Sequence, residues 1–353
     1  MRKKSKGGER GVRENARSVQ EIDAWFAAGG LVRSRRGSPA GITTRLRSEK
    51  YLAEELRRPL VEPRSAANGV RWIRIPAWEK LDWLWHGFST RQGGVSRAYC
   101  AEGAPGELNL GFTAHDDRAA VERNRRLLAE AVSGRASTPL ETVRQFHSNL
   151  VVTAVERERP CRGDGLMTSR SGVLLAVLTA DCIPVLVADK RKRVVAAFHA
   201  GWRGTAKRIV ELGVGRMRML HGSRPRDLTA AIGPGIGACC YAVGEEVRAE
   251  FESQFAYAPL LFKEVFDSDP IHKKYPMLFL TQRAPGHSPI GPQMHVDLVE
   301  ANRRQLLDAG LSAGEIHLTG GCTQCDRQWF FSHRGSDGHA GRMMSVIGLK
   351  AGS

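Results

Sequence analysis

Residues 173–187 are almost unbroken in apolar side chains, interrupted only at Thr179-Ala180-Asp181-Cys182 and at Pro184. A strand with one wet face alternates apolar and polar residues, so a run of this kind belongs to a strand covered on both faces. Covering both faces requires layers of structure on either side. A polar break in such a strand sets Asp181 and Cys182 where side chains are held rigidly. Two later units repeat this design. Residues 194–198 lead into His199-Ala200-Gly201-Trp202-Arg203-Gly204 and then a helical pattern of Ala206, Ile209, Val210, Val214 and Met217. Residues 228–232 lead into Gly233-Pro234-Gly235-Ile236-Gly237 and, after Tyr241, a helix over 245–255.

The remaining elements follow from local pattern. Residues 70–75 alternate like a strand, three tryptophans fall within 78–85, and 86–94 run through Arg91 into a Gln92-Gly93-Gly94 turn. Residues 116–131 read as a helix capped by Asp116 or Asp117, with Ala120, Val121, Leu127, Leu128 and Ala131 as its apolar stripe. Residues 143–155 read as a strand interrupted by His147-Ser148-Asn149. Residues 266–293, with five prolines and two glycines, read as an irregular insertion or lid. A helix over 297–309 and strands at 316–319 and 343–349 complete the set. Strands and helices mix without strict alternation, which places the chain in the α+β class rather than among doubly wound sheets.

The first 68 residues differ in character. The net charge is +16, and the first fifty residues hold 13 Lys/Arg against five Asp/Glu, half of that excess. Apart from a short apolar stretch at 22–31 this segment is rich in Gly and Ser, so residues 1–68 are expected to form a basic, mostly flexible arm and 69–353 the folded domain. Basic charge attracts polyanions, but no motif with interleaved aromatics follows, so nucleic acid is not an expected partner. Nothing approaches 18 consecutive apolar residues, and the positive N-terminus lacks the apolar stretch of a signal peptide. A cytoplasmic protein is expected. Its seven cysteines, an odd number in a long chain, argue for reduced thiols rather than a disulfide framework.

Three apolar segments carry polar interruptions at His147, Cys182 and His199. A lone buried Cys is usually packing, and a lone His a hydrogen-bonded core residue. Taken together, two His and one Cys form a nitrogen and sulfur set suited to zinc, with a fourth position open. Their separations match no short zinc motif, so the residues alone leave packing and metal binding both open. Copper also uses two His and a Cys, but the absence of any His-x-His pair speaks against a multicopper site. Cys322-x-x-Cys325 has no second such pair, since Cys239 and Cys240 are adjacent, and reads as packing or incidental thiols. Arg203, in a turn that opens a helix, is a candidate for anion binding, as are Arg91, Arg334 and Arg342 in other Gly-rich turns.

Thr179-Ala180-Asp181-Cys182-Ile183-Pro184 followed by His199-Ala200-Gly201-Trp202-Arg203-Gly204 resembles a family first described as multicopper polyphenol oxidase or laccase-domain proteins. Its members are now described as purine nucleoside phosphorylases and, in bacteria, also as the peptidoglycan editing factor. Further matches run in order: Ser89-Thr90-Arg91-x-Gly93-Gly94, Asn109-Leu110-Gly111, Gln145-Phe146-His147, Gly163-Asp164-Gly165-Leu166, Cys239-Cys240-Tyr241, Cys322-Thr323, Phe330-Phe331-Ser332-x-Arg334 and Gly341-Arg342. They cover about residues 70–349.

The resemblance implies a single-domain layered α+β sandwich of mixed sheet and helices, similar to a group of cysteine hydrolases. It implies zinc rather than copper, held by His147, Cys182 and His199. The implied reaction is phosphorolysis of adenosine, inosine, guanosine or methylthioadenosine to the base and ribose 1-phosphate. Adenosine deamination and a role in peptidoglycan editing are implied as well. Three positions depart from the family pattern: Ser148 for a common glycine, Gly165 for alanine, and His333 for the tyrosine before Arg334. On this reading Cys182, His199, Asp164 and Arg203 are the catalytic candidates, with Asp164 or Asp181 orienting an imidazole or taking a proton. Arg91, Arg203, Arg334 and Arg342 are the candidates for phosphate and substrate. A monomer acting on purine nucleosides and phosphate, with no membrane partner, is the expectation. The competing reading is a metal-free cysteine hydrolase or amidase, with Cys182 as nucleophile and His199 as base, acting on a cell-wall precursor. A third makes the domain a binding module whose basic arm reaches acidic partners.

Overall fold

In the computed structural model, which describes residues 50–154, 161–266 and 293–351, the long apolar run is two strands rather than one. These are β9 (Leu174–Thr179) and β10 (Ile183–Asp189), and they lie in different sheets. The chain changes sheets across residues 180–182, where Asp181 takes φ +94°. A non-glycine residue is rarely found there, so the turn must be enforced from outside.

One six-stranded sheet has the order β15 (Ile316–Leu318), β12 (Leu228–Ile232), β10, β11 (Val194–Ala200), β8 (Gly165–Thr168), β7 (Val151–Thr153). The other runs β2 (Arg64–Ser65), β3 (Arg71–Ile73), β4 (Leu84–Ser89), β16 (Met343–Leu349), β9, β6 (Leu140–Thr142). A three-stranded sheet joins β1 (Lys50–Leu52), β13 (Phe262–Phe266) and β14 (Gln293–Val296). A separate strand, β5 (Gln92–Ser96), follows β4.

Alternation along the strands builds the layers. In β10 and β11, Val185, Val187, Ala196 and Phe198 pack on one side with α3 (Ile209–His221), α4 (Glu245–Gln254) and α5 (Leu298–Asp308). Leu186, Ala188, Val195 and Ala197 point the other way and meet Leu175, Val177 and Ile347 of the second sheet. On the far face of that sheet Leu174, Ala176, Met344 and Val346 pack with Leu128 and Val132 of α1 (Arg118–Ser133). The order is helices, sheet, sheet, helix, a layered α+β sandwich. Each large side chain so buried contributes ~1.5–3 kcal/mol, so both interlayer cores are strongly stabilising.

Local readings hold with small shifts. The helix expected at 116–131 is α1, and its cap is Asp117, whose carboxylate accepts from the Ala120 N–H at 3.2 Å. Asp297 caps α5 in the same way. The boundary of the N-terminal arm is corrected: the compact unit begins at Ser48, not Gly69. Within 50–68, β1 and β2 join sheets, the Arg58 guanidinium makes a two-pronged pair with Asp297 at 2.6 and 3.1 Å, and Arg57 pairs with Asp326. Charges that read in sequence as part of a flexible basic arm are thus anchored to carboxylates far along the chain. Residues 1–49 and 267–292, which include most of the arm and of the expected insertion, lie outside the described residues. Among the described residues no helix is long and apolar enough to cross a membrane.

Candidate metal centre and active site

Antiparallel pairing of β10 with β11 places Ile183 opposite Ala200 and Pro184 opposite His199, which brings Cys182 beside His199 at one end of the sheet. The segment between β6 and β7 is irregular rather than extended, and it carries His147 at φ +62°. The ligating atoms of His147, Cys182 and His199 all lie within 4.8 Å of one another. Cys182 Sγ stands 3.8 Å from His147 Nε2, and the two imidazoles meet edge to face with centroids 5.0 Å apart. Tetrahedral zinc with arms of ~2.0–2.3 Å needs donor separations of this size.

Asp164 organises the group. It is fully buried at the end of the turn before β8, and its two oxygens accept from the backbone N–H of Phe146, His147 and Ser148 and from Ser148 Oγ at 2.6 Å. It also accepts from His199 Nδ1 at 2.9 Å. One carboxylate therefore sets the backbone that carries His147 and fixes the tautomer that leaves His199 Nε2 facing Cys182. Burial pushes the Asp164 carboxyl up, but the hydrogen bonds from His199 and Ser148 outweigh it and hold its pKa at about 2. Burial likewise opposes a Cys182 thiolate, yet the His199 charge and hydrogen bonds from both imidazoles lower its pKa to about 6. Burial opposes a charged His199 too, and Cys182 and Asp164 still raise it to about 9. The pair is a thiolate and an imidazolium near neutral pH.

Gly201 closes the back of this group. A Cβ there would sit 2.9 Å from both Cys182 Sγ and His147 Cδ2, so the residue after β11 must be glycine for the three donors to converge. Asp181, by contrast, touches neither imidazole. Its carboxylate accepts from Thr323 Oγ1 at 2.6 Å and the Arg334 N–H at 2.7 Å, and its carbonyl from the Ile236 N–H. These bonds hold the strained backbone that presents Cys182. Of the two aspartates considered for the imidazole, Asp164 is the one bonded to it, and Asp181 holds the turn that presents Cys182.

The arginines divide. Arg203 lies exposed on α2 (Trp202–Ala206), stacked over Trp202 at 4.3 Å. Arg334 is exposed over the Tyr241 ring at 5.3 Å. Tyr241, marked in sequence only by a family match, feels both charges: burial, with the Cys182 charge adding to it, pushes its phenol up to about 12 while both arginines pull the other way. Arg91 is held elsewhere, against the expectation that it meets phosphate. Its guanidinium pairs with Glu107 at 2.6 Å and donates to the carbonyls of Tyr99 and Arg327. Arg342 donates to the carbonyls of Ala340 and Gly341, and its stem packs on Gly111. Both shape the loop around Asn109 rather than offer free charge.

A second gathering involves the cysteines that read in sequence as packing or incidental thiols. Cys239, Cys240, Cys322 and Cys325 bring their four sulfurs within 4.8 Å of one another. The separations of ~85 residues between the two pairs hid this, although two close cysteine pairs were the available signal. Among the described residues these two groups are the places where three or more His, Cys or carboxylate donors converge, and neither has the paired histidines of a multicopper centre.

A family profile described as multi-copper polyphenol oxidoreductase laccase matches residues 85–350. A Bacillus subtilis protein named purine nucleoside phosphorylase YlmD is 34% identical over 278 residues, covering 75% of this chain and 88% of that protein. A purine nucleoside phosphorylase of Deinococcus radiodurans is 38% identical over 267 residues, covering 75% and 88%. The crystal structure of YlmD from Geobacillus stearothermophilus superposes with a TM-score of 0.64 at 31% identity, over 83% of this chain and all of that one. With the profile spanning most of its length and the layered fold shared, this chain belongs to the multi-copper polyphenol oxidoreductase laccase family.

Proposed function

We propose that this protein is a zinc-dependent purine nucleoside phosphorylase, converting a purine nucleoside and phosphate into the free base and ribose 1-phosphate. The observation that carries the reading is the convergence of His147, Cys182 and His199 with Asp164 locked onto His199 Nδ1. Relatives named for this activity supply the reaction class. The donor chemistry fits zinc: one thiolate and two imidazoles, a carboxylate behind one of them, and a glycine cradle that excludes any bulkier residue. Zinc held by His147, Cys182 and His199 would supply a Lewis acid.

The chain's own groups supply the rest. Phosphate must be oriented toward the anomeric carbon while its charge is offset. The exposed guanidinium groups of Arg203, over Trp202, and Arg334, over Tyr241, are cations available for it. Both lie within electrostatic reach of Tyr241, as does Cys182. As a phosphate oxygen bonds to the anomeric carbon, the glycosidic bond breaks and the purine leaves with the electron pair. Tyr241, with its pKa near 12, stays protonated at neutral pH and serves as hydrogen-bond donor to that departing charge. Asp164 keeps its proton-accepting oxygens committed to His199 and Ser148, which makes it a positioning residue.

A second reading rests on the same atoms. Cys182, His199 and Asp164 also have the order of a nucleophile, a base and its orienting carboxylate, with the thiol already ionised near neutral pH. Metal-quantified protein assayed on a nucleoside panel, with and without phosphate, separates the two. Phosphorolysis predicts base release that requires phosphate and disappears, along with one metal equivalent, in Cys182→Ala. Turnover that survives full metal removal, with Cys182 alkylated rapidly by iodoacetamide, belongs to the cysteine hydrolase.

A further inference from the structure

We propose that Cys239, Cys240, Cys322 and Cys325 form a second, structural metal site, binding a single divalent ion through four thiolates, with zinc as the ion. Cys239 Sγ lies 3.6 Å and Cys240 Sγ 3.3 Å from Cys325 Sγ, and all four sulfurs fall within 4.8 Å. A tetrahedron with Zn–S arms of ~2.3 Å puts its sulfurs ~3.8 Å apart, so the set brackets the size one ion requires. Clusters of several irons need sulfurs spread around the whole cluster, which this spacing does not allow. Tetrahedral sulfur coordination by a closed set of four ligands is the pattern of structural zinc.

The surroundings are built for it. Cys239 and Cys322 are buried, and Ile236 packs against them, with Ala53, Leu56 and Tyr241 around the rim. The Gly237 N–H donates to Cys322 Sγ at 3.2 Å, an interaction that favours thiolate over thiol. A Cβ on Gly237 would meet Cys239 Sγ at 2.9 Å, so this position too has to be glycine. Asp326 fixes the Cys322 backbone by accepting its N–H at 2.9 Å, and Arg57 pairs with Asp326, placing positive charge beside a site that four thiolates would leave negative. The adjacent Cys239 and Cys240 reach one point because the chain turns tightly there: the N–H groups of Cys240 and Tyr241 both donate to the Gly237 carbonyl.

The consequence lies at the active site. The loop that carries Cys239 and Cys240 also carries Gly235 and Ile236, and the loop that carries Cys322 also carries Thr323. Ile236 and Thr323 are two of the groups that clamp Asp181, and Thr323 N–H donates to the Gly235 carbonyl. An ion joining the two loops would therefore brace the turn that presents Cys182.

The test is metal content of protein purified without chelator, measured by elemental mass spectrometry, in wild type, Cys325→Ser, Cys240→Ser and Cys182→Ala. The expectation is about two zinc equivalents in wild type, falling to about one in Cys325→Ser and in Cys240→Ser. Cys182→Ala removes the active-site sulfur and should keep one equivalent, so the second site is read independently of the catalytic proposal. Should Cys325→Ser and Cys240→Ser fail to fold, cobalt loaded into Cys182→Ala decides: intense tetrahedral d–d bands with strong sulfur-to-cobalt charge transfer mark four thiolates. No bound metal in Cys182→Ala together with a cobalt spectrum lacking those bands overturns the proposal. So does a disulfide from Cys325 to Cys239 or Cys240 in peptide mapping of the freshly purified protein.

Discussion

Asp164 accepts five N–H groups or hydroxyls at once, with no solvent contact of its own, and that makes it the residue on which the site depends most. Asn in its place removes the charge that favours His199 Nδ1–H and turns one oxygen into a donor facing other donors. Asp164→Asn is expected to lower metal affinity ~10–100-fold, as loss of a carboxylate behind a ligating His does elsewhere. Competition with a chromophoric chelator measures it, and unchanged affinity would show that His199 needs no such partner. Protonation gives a second expectation. In the metal-free protein Cys182 is ionised above about 6, while His199 keeps its proton up to about 9. Between pH 7 and 9 an incoming ion must displace the His199 proton but none from Cys182, so uptake should release about one proton from this pair. Affinity should accordingly climb about tenfold per pH unit in that window and level off above it, which calorimetry in buffers of different ionisation enthalpy resolves. The trio His147, Cys182 and His199 was legible as a candidate set because each member interrupts an apolar segment. Tyr241 was not, since an aromatic residue after a Gly-rich loop has no pattern that distinguishes a site from a core. Nor could spacing reveal that Arg91 is tied to Glu107, because the partners of a guanidinium are set by the tertiary fold.

Helix α3 offers two glycines two residues apart that read alike in sequence and differ in the fold. At Gly213 a Cβ would land 2.4 Å from the Phe198 ring, whereas at Gly215 it meets nothing within 4 Å. Alanine favours a helix interior over glycine by ~0.5–1 kcal/mol, so Gly215→Ala should stabilise the protein by about that amount. Gly213→Ala gains the same propensity but drives its methyl into the Phe198 ring that β11 presents to α3, and overpacking of this kind costs ~1–3 kcal/mol. Urea unfolding should move the midpoint up for one variant and down for the other; equal shifts would deny the close contact between α3 and β11. Elements whose signal is local were readable for the same reason that Gly215 is simple. The Asp117 cap and the strand at 343–349 depend on neighbours in sequence. The polar break within 173–187 was visible, but with both halves equally apolar nothing in the sequence showed that it parts two strands of different sheets. The break is made by Thr323, Arg334 and Ile236 pulling Asp181 into a left-handed turn, and those partners lie 55 to 153 residues away.

At the scale of the whole molecule, the corrected boundary at Ser48 assigns residues 50–68 to the fold. Basic residues within 50–68 looked like those of the arm because composition cannot register an ion pair with a carboxylate 239 or 269 residues further on, as for Arg58–Asp297 and Arg57–Asp326. Two truncations distinguish the boundaries. A chain starting at Ser48 keeps both pairs, the β1–β13 pairing and the Ala53 and Leu56 cover over the four cysteines. It is therefore the reference against which the shorter chain is read. A chain starting at Gly69 strands Asp297 and Asp326, both nearly buried, without their cations, and each uncompensated carboxylate costs several times the ~1 kcal/mol of an exposed pair. Its melting temperature should fall by ~5 °C or more. The same truncation strips the apolar cover from the four sulfurs, so alkylation of Cys239 and Cys322 should quicken alongside the fall in stability. Equal melting of the two truncated chains, with equal thiol protection, would return residues 50–68 to the arm and leave the sulfur group without its shell.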